Sequence, residues 1–189
     1  SGQFEYLAQA NRRLAVVIPI TIAIIVLLLY ASNRSWFRVG VVMLAVPFSL
    51  IGAFWFLWLL DYNMSLAVWV GIIALLGVDA ETGQVMLLYL DSTYDRFVNE
   101  GRMHSRSDLY TAVHEGAVKR IRPKMMTVMA ILVGLLPIMW SHGAGADVMK
   151  RIAAPMIGGV ISSFLLELMV YPAIYEVWRG WQLRRANGR

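Results

Sequence analysis

Cysteine is absent from the 189-residue chain, which excludes a disulfide scaffold, a thiolate metal site and a thiol nucleophile. Charge is scarce as well. Asp, Glu, Lys and Arg make up 15% of the residues, against roughly a quarter in a soluble domain. His104, His114 and His142 are scattered and form no metal-ligand pattern. No G-x-x-x-x-G-K-[ST] sequence occurs, so the chain carries no ATP-hydrolysing phosphate loop, and no hydrolase triad is visible. What is plentiful is apolar: 59% of residues are hydrophobic and the mean hydropathy is +0.61, which excludes disorder and coiled coil. A net charge of +5 would suit nucleic acid, but the basic residues gather at the ends of apolar runs, so no nucleic-acid partner is expected.

Charge-free runs set the organisation. Leu14–Asn33 is 20 residues without a charge and Val39–Leu60 is 22. Tyr62–Val78 is 17, resuming after Asp79 and Glu81 to Leu90. Met125–Ala146 is 22, and Ile152–Leu166 is 15, resuming after Glu167 to Tyr175. A membrane-crossing helix needs about 20 mostly apolar residues. The fold class predicted is therefore an all-α membrane bundle of five transmembrane helices, over about 14–33, 39–60, 65–90, 125–142 and 151–177. Residues 1–13 read as a linker, 14–178 as the bundle and 179–189 as a tail. Within the long Asp91–Lys124 connection, Ser107-Asp108 reads as a helix start, and Leu109, Val113 and Ala117 recur at helical spacing. A short amphipathic helix over about 107–120, lying at the cytoplasmic interface, is predicted. Gly71, Gly77, Gly134, Gly158 and Gly159 are the small residues expected where helices approach closely in lipid.

Lys and Arg divide 13 to 4 between the two sides when the spans alternate. The positive-inside rule then predicts a cytoplasmic C-terminus and an N-terminal end outside. That orientation predicts earlier spans before Ser1.

An ionised carboxylate at mid-membrane costs about 2.5–3.5 kcal/mol and needs a reason. Asp79 and Glu81 lie about 200° apart on a helix and cannot face one partner. Glu81 shares its face with Ala74, Gly77 and Gln84, a small and polar stripe, and is the favoured proton-carrying acid. Asp79, turned toward Gly83 and Met86, is a second candidate, and Glu167 a third, paired with a cation on a helix outside this chain. Lys124 follows Pro123 at the mouth of the fourth span. It reads either as the cation that toggles the acid's proton or as an interfacial lysine that snorkels. Methionine is abundant at 11 residues, and its thioether suits soft ions such as Cu(I). Most of these read as core packing; Met149, beside the polar Gly143–Asp147 connection, is kept as a metal contact.

Several blocks then look familiar. Gly77-Val78-Asp79-Ala80-Glu81-Thr82-Gly83 with Val85–Asp91, Glu115–Val118 leading to Arg120–Thr127, Gly134–Trp140, Gly143–Gly145 and Val148–Gly159 resemble, in order and spacing, the heavy-metal efflux branch of the resistance–nodulation–division transporters. The resemblance is nearest to the copper and silver pumps. It covers essentially the whole chain and corresponds to the last five of twelve spans, with Ser1–Tyr6 like the end of the second periplasmic domain.

The resemblance implies a proton-driven antiporter of the bacterial inner membrane that exports metal ions, Cu(I) or Ag(I) in this branch, with no enzymatic reaction and no cofactor. It implies a homotrimer docked to a periplasmic adaptor and an outer-membrane channel. Glu81 and Lys124 take the places of the proton relay, whose other acid lies on an earlier span, and Met149 that of a stepping stone for the metal. Asp79, Gln84 and Glu167 depart from the family pattern, in which smaller or apolar residues stand at those places, so Asp79 is a candidate to share the proton. The alternatives are a pump for organic compounds, a pump for Zn, Co or Cd, and a non-transporting membrane scaffold.

Overall fold

The computed structural model describes residues 2–188; Ser1 and Arg189, the outer ends of the predicted linker and tail, lie outside the described residues. Helix α1 spans Gly2–Asn33, α2 Trp36–Met43, α3 Ala45–Leu59, α4 Leu66–Asn99, α5 Arg106–Leu135 and α6 Ala146–Asn187, with a 3-10 turn at Leu136–Trp140. No strand occurs among the described residues. Five helical segments are long and apolar enough to cross a membrane, α2 and α3 together forming one of them. This is the all-α bundle predicted from the charge-free runs.

Proline explains the break inside the second span. Pro47 has no N–H for the carbonyl of Met43 and its ring crowds that group, and the helix is interrupted at Leu44, between α2 and α3. Pro123, Pro155 and Pro172 also stand inside helices, yet α5 and α6 run through them.

Several boundaries differ from the sequence reading. The separate interfacial helix expected over 107–120 is instead the first half of α5, which continues past Pro123 to Leu135. Nothing between Arg106 and Arg122 breaks a helix except Gly116, so the polar segment simply extends the apolar one. The helix starts earlier than the Ser107-Asp108 signal indicated. Ser105 is the cap: its hydroxyl accepts from the Asp108 N–H at 3.3 Å, and the Asp108 carboxylate accepts from the Ser105 N–H at 3.1 Å, a capping box. Likewise, α4 extends beyond residue 90 to Asn99, α1 begins at Gly2 within the predicted linker, and α6 reaches Asn187 within the predicted tail.

α6 runs through the middle of the bundle and packs on α3, α4 and α5. Missing side chains permit the close approach. A Cβ at Gly52 of α3 would collide with the carbonyl of Gly158, one at Gly71 of α4 with the carbonyl of Ile152, and one at Gly159 with Leu75. Gly71, Gly158 and Gly159 thus do what the sequence suggested, whereas Gly77 and Gly134 face open space. α1 is peripheral, with Leu29 its only buried residue among those described. It is tied to α4 by a reciprocal amide pair, Asn33 Nδ2 donating to Gln84 Oε1 at 2.6 Å and Gln84 Nε2 to Asn33 Oδ1 at 3.1 Å.

Candidate functional site

Helical periodicity brings the polar residues of three spans to one place. On α5 the buried residues Val113, Gly116, Arg120, Lys124 and Val128 recur every three or four positions, which is one face of a helix. On α6, Ser163, Glu167, Tyr171 and Tyr175 follow each other at intervals of four. On α4 the buried stripe runs through Leu75, Asp79, Thr82, Met86 and Leu90. These three stripes converge on the centre of the bundle.

There Lys124 Nζ lies 3.0 Å from Glu167 Oε1, and the two side chains are 3% and 1% exposed. The Thr82 hydroxyl stands 2.7 Å from the same Glu167 oxygen and 2.9 Å from the carbonyl of Val78, so its single proton is shared between them. Asp79 is 1% exposed. The hydroxyls of Ser49 on α3 and Ser163 on α6 stand beside its carboxyl, yet neither Asp79 oxygen has a hydrogen-bond partner among the described residues. Ser163 Oγ and Glu167 Oε2 are also buried without partners among the described residues. Tyr171 closes one end, donating from its hydroxyl to the carbonyl of Val42 at 2.9 Å, where Gly83 leaves room for the ring.

Of the predicted residues, the structure brings Asp79 and Lys124 together and leaves Glu81 out. Glu81 is exposed on the opposite face of α4, with Ala74 and Gly77, and the charged groups near Lys124 are Glu167, Asp79 and Arg120. The 200° between Asp79 and Glu81 is the physical reason, since only one of them can turn toward α5 and α6. Lys124 does not snorkel; it is 2% exposed and points inward. Glu167, expected to seek a cation on a helix outside this chain, finds one on α5 within it. The sequence reading missed Ser49, Thr82 and Ser163, although the spacing of Thr82 from Asp79 and of Ser163 from Glu167 carried the signal.

Met149 is 48% exposed in the first turn of α6, and Met125 and Met129 are exposed on α5. Among the described residues, no three or more His, Asp or Glu side chains are grouped to hold a metal ion.

A second charged cluster lies toward the far ends of α4 and α6. Asp91 pairs with Arg38 at 3.0 Å and with Arg179 at 2.9 Å, and accepts from the Tyr175 hydroxyl at 2.6 Å. Arg179 Nε donates to the Tyr175 oxygen at 3.2 Å, and its guanidinium lies over the rings of Tyr94 and Trp178, 4.3 and 4.6 Å from their centroids. Charge alone gave no hint of this cluster, because its members come from three helices.

The chain is 47% identical over 179 residues to the cation efflux system protein CusA of Escherichia coli O157:H7, an alignment covering 94% of this chain and 17% of that protein. It is 46% identical over 181 residues to the putative cation efflux system protein SilA of Salmonella typhimurium, again 94% of this chain and 17% of the relative. A crystal structure of a heavy metal efflux pump (crystal form II) superposes with a TM-score of 0.78 at 31% identity, over 93% of this chain and 16% of that one. The chain thus spans about a sixth of the length of these relatives. The resemblance to the heavy-metal branch of the resistance–nodulation–division transporters holds, and with residues 1–179 matching it, the chain belongs to the AcrB/AcrD/AcrF family.

Proposed function

We propose that this chain is the C-terminal membrane portion of a proton-driven pump that exports heavy-metal cations, Cu(I) or Ag(I), across the bacterial inner membrane as a secondary transporter. The carrying observation is the buried Lys124–Glu167 ion pair, with Asp79 beside it, inside a bundle of five apolar spans. Three ionisable groups in a hydrocarbon environment are costly and mark ion or proton pathways. The similarity to proteins named as cation efflux systems supports the metal cargo. Methionine is the soft donor that suits a monovalent ion, and Met149 is the residue of this chain assigned to its path.

Lys124 is the buried cation of the bundle, and its partners within this chain are Glu167 and Asp79. Glu81, on the open face of α4 beside Ala74 and Gly77, is the acid that meets a helix from the remainder of the pump. Small residues on that face allow such a helix to come close. The whole pump works as a homotrimer with a periplasmic adaptor and an outer-membrane channel, its C-terminus in the cytoplasm. Moving one charge through 100 mV is worth about 2.3 kcal/mol. One entering proton therefore offsets the electrical work of exporting one monovalent ion from the cytoplasm. When the ion is taken from the periplasm instead, the same energy drives conformational cycling.

The test uses the full-length pump in proteoliposomes with an imposed pH gradient and Ag(I) as probe. Wild type is expected to move the metal only while the gradient stands. Glu81→Gln is expected to lower transport by roughly a hundredfold, the scale of one positioned proton carrier, while assembly stays intact. Full gradient-driven transport by that variant would overturn the role of Glu81. Transport indifferent to the gradient in wild type would overturn proton coupling.

A further inference from the structure

This inference rests on the proton-coupled reading and deepens it: Asp79 and Glu167 are separate from Glu81, and the bundle holds both beside Lys124. We propose that Asp79, Lys124 and Glu167 form a second proton-exchange site contained wholly in this chain, in which one proton passes between the two carboxyl groups as Lys124 changes partner.

Charge balance carries the argument. The site holds one cation between two acids, and all three side chains are buried. The other titratable or charged groups facing it are Arg120, on the α5 turn before Lys124, and Tyr171 on α6. α3 contributes only the Ser49 hydroxyl. Arg120 is turned toward the ring of Tyr89, 5.8 Å from its centroid, and is not ion-paired to either acid. Arg120 is buried nearby yet makes no such pair, so of the two carboxyl groups one has a cation in contact and the other has none. An ionised carboxylate buried without a direct partner is more costly than its protonated form. Glu167 already has Lys124 and Thr82 as partners, whereas both Asp79 oxygens are bare. The resting arrangement is therefore a Lys124 ammonium paired with a Glu167 carboxylate, and Asp79 as the neutral acid.

The exchange balances without any other reactant. Lys124 stays an ammonium throughout and swings from Glu167 to Asp79. The O–H bond of Asp79 breaks, an O–H bond forms on Glu167, and Asp79 becomes the paired carboxylate. The bare Ser163 hydroxyl and the Thr82 hydroxyl line the short way between the acids. Helix register gives the exchange a direction. Gly71 of α4 lies against Ile152 and Pro155, Leu75 against Gly159, Thr82 against Glu167, and Gly83 against Tyr171. Asp79 therefore stands level with Ser163, and Glu167 lies one helical turn nearer the Asp91 end. With that end cytoplasmic, as the basic residues predict, a proton entering at Asp79 and leaving from Glu167 moves inward.

The inference rests on proton-coupled transport, and the experiment separates the two. Full-length wild-type pump and Asp79→Asn are purified, checked for assembly by size exclusion, and measured in two ways. Infrared spectroscopy at neutral pH is expected to show a buried carboxylic-acid carbonyl band in wild type that Asp79→Asn removes. In proteoliposomes with Ag(I) and a pH gradient, Asp79→Asn is expected to lose roughly a hundredfold in transport, because an amide cannot release a proton. A band unchanged by Asp79→Asn, or gradient-driven transport by that variant at the wild-type rate, would overturn the second site. The proton-coupled reading of the pump would survive either result, since it falls only if wild type ignores the gradient. Glu167→Gln, which leaves Lys124 without its partner, serves as a further variant once it passes the assembly check; its expected result is the same loss.

Discussion

Two charged clusters sit on the same pair of helices, α4 and α6, and they are built on opposite plans. Around Asp91 there is one acid and two cations, and each Asp91 oxygen is occupied by an arginine, with the Tyr175 hydroxyl added on one of them. Around Lys124 there is one paired cation and two acids, with three carboxylate oxygens and a serine hydroxyl left bare. The first is partly open at its rim, and its one bare atom among the described residues is Arg38 Nε; the second is sealed. A carboxylate with both oxygens occupied resists change, because any movement breaks hydrogen bonds that nothing replaces. An under-occupied cluster offers its cation a second berth. Rigidity and mobility are thus written into neighbouring turns by the count of donors and acceptors.

The contrast is broken most severely by Lys124→Met, which preserves length and removes the charge. Transport is expected to fall roughly a hundredfold, and the folded pump to lose about 3 kcal/mol, the lower end for removing one partner of a buried pair, since Glu167 can regain neutrality by binding a proton. Proteoliposome flux and thermal unfolding of the purified full-length protein check both effects. Asp91→Asn sharpens the comparison from the other side. It should lower stability by about 2 kcal/mol, the scale of losing hydrogen bonds to charged groups, yet leave the dependence of transport on the pH gradient unaltered. A changed pH profile in that variant would show that the two clusters act as one. The smallest effect belongs to the exposed limit. Arg96 bridges α4 and α5 through Glu115, which Lys119 also contacts at 3.0 Å, and all three side chains are at least one-third exposed. Arg96→Gln is expected to shift stability by about 0.5 kcal/mol, a difference that vanishes in high salt.

How much of this is legible in the residues differs by level. The five spans are plain, because hydrocarbon tolerates so few charges that every run announces itself. The 200° between Asp79 and Glu81 is equally plain, but not which of them turns inward. That choice is made by Gly71, Leu75 and Gly83 fitting against α6 on the Asp79 side, a tertiary fact. Glu167 reads as an acid in need of a cation, with the partner expected outside the chain. Lys124 stands 43 positions earlier on a helix whose docking no periodicity reveals. The continuity of α5 escapes the sequence for a different reason. A polar stretch reads as a change of element, whereas a helix can leave the apolar zone without ending. Gly52 is inconspicuous among bulky neighbours, although its lack of a side chain lets α3 reach α6.

Pro172 lies five residues beyond Glu167 in the unbroken α6. Having no N–H, it cannot bond back to the carbonyl of Leu168, so the rung of the helical ladder immediately after Glu167 is missing. A rod weakened at such a rung flexes there more readily than along its intact turns, and the same holds at Pro155 further up the same helix. The acid that must trade its ammonium for a proton is thereby mounted one turn from a proline joint of the central helix, where a bend shifts the carboxylate relative to the ammonium on α5.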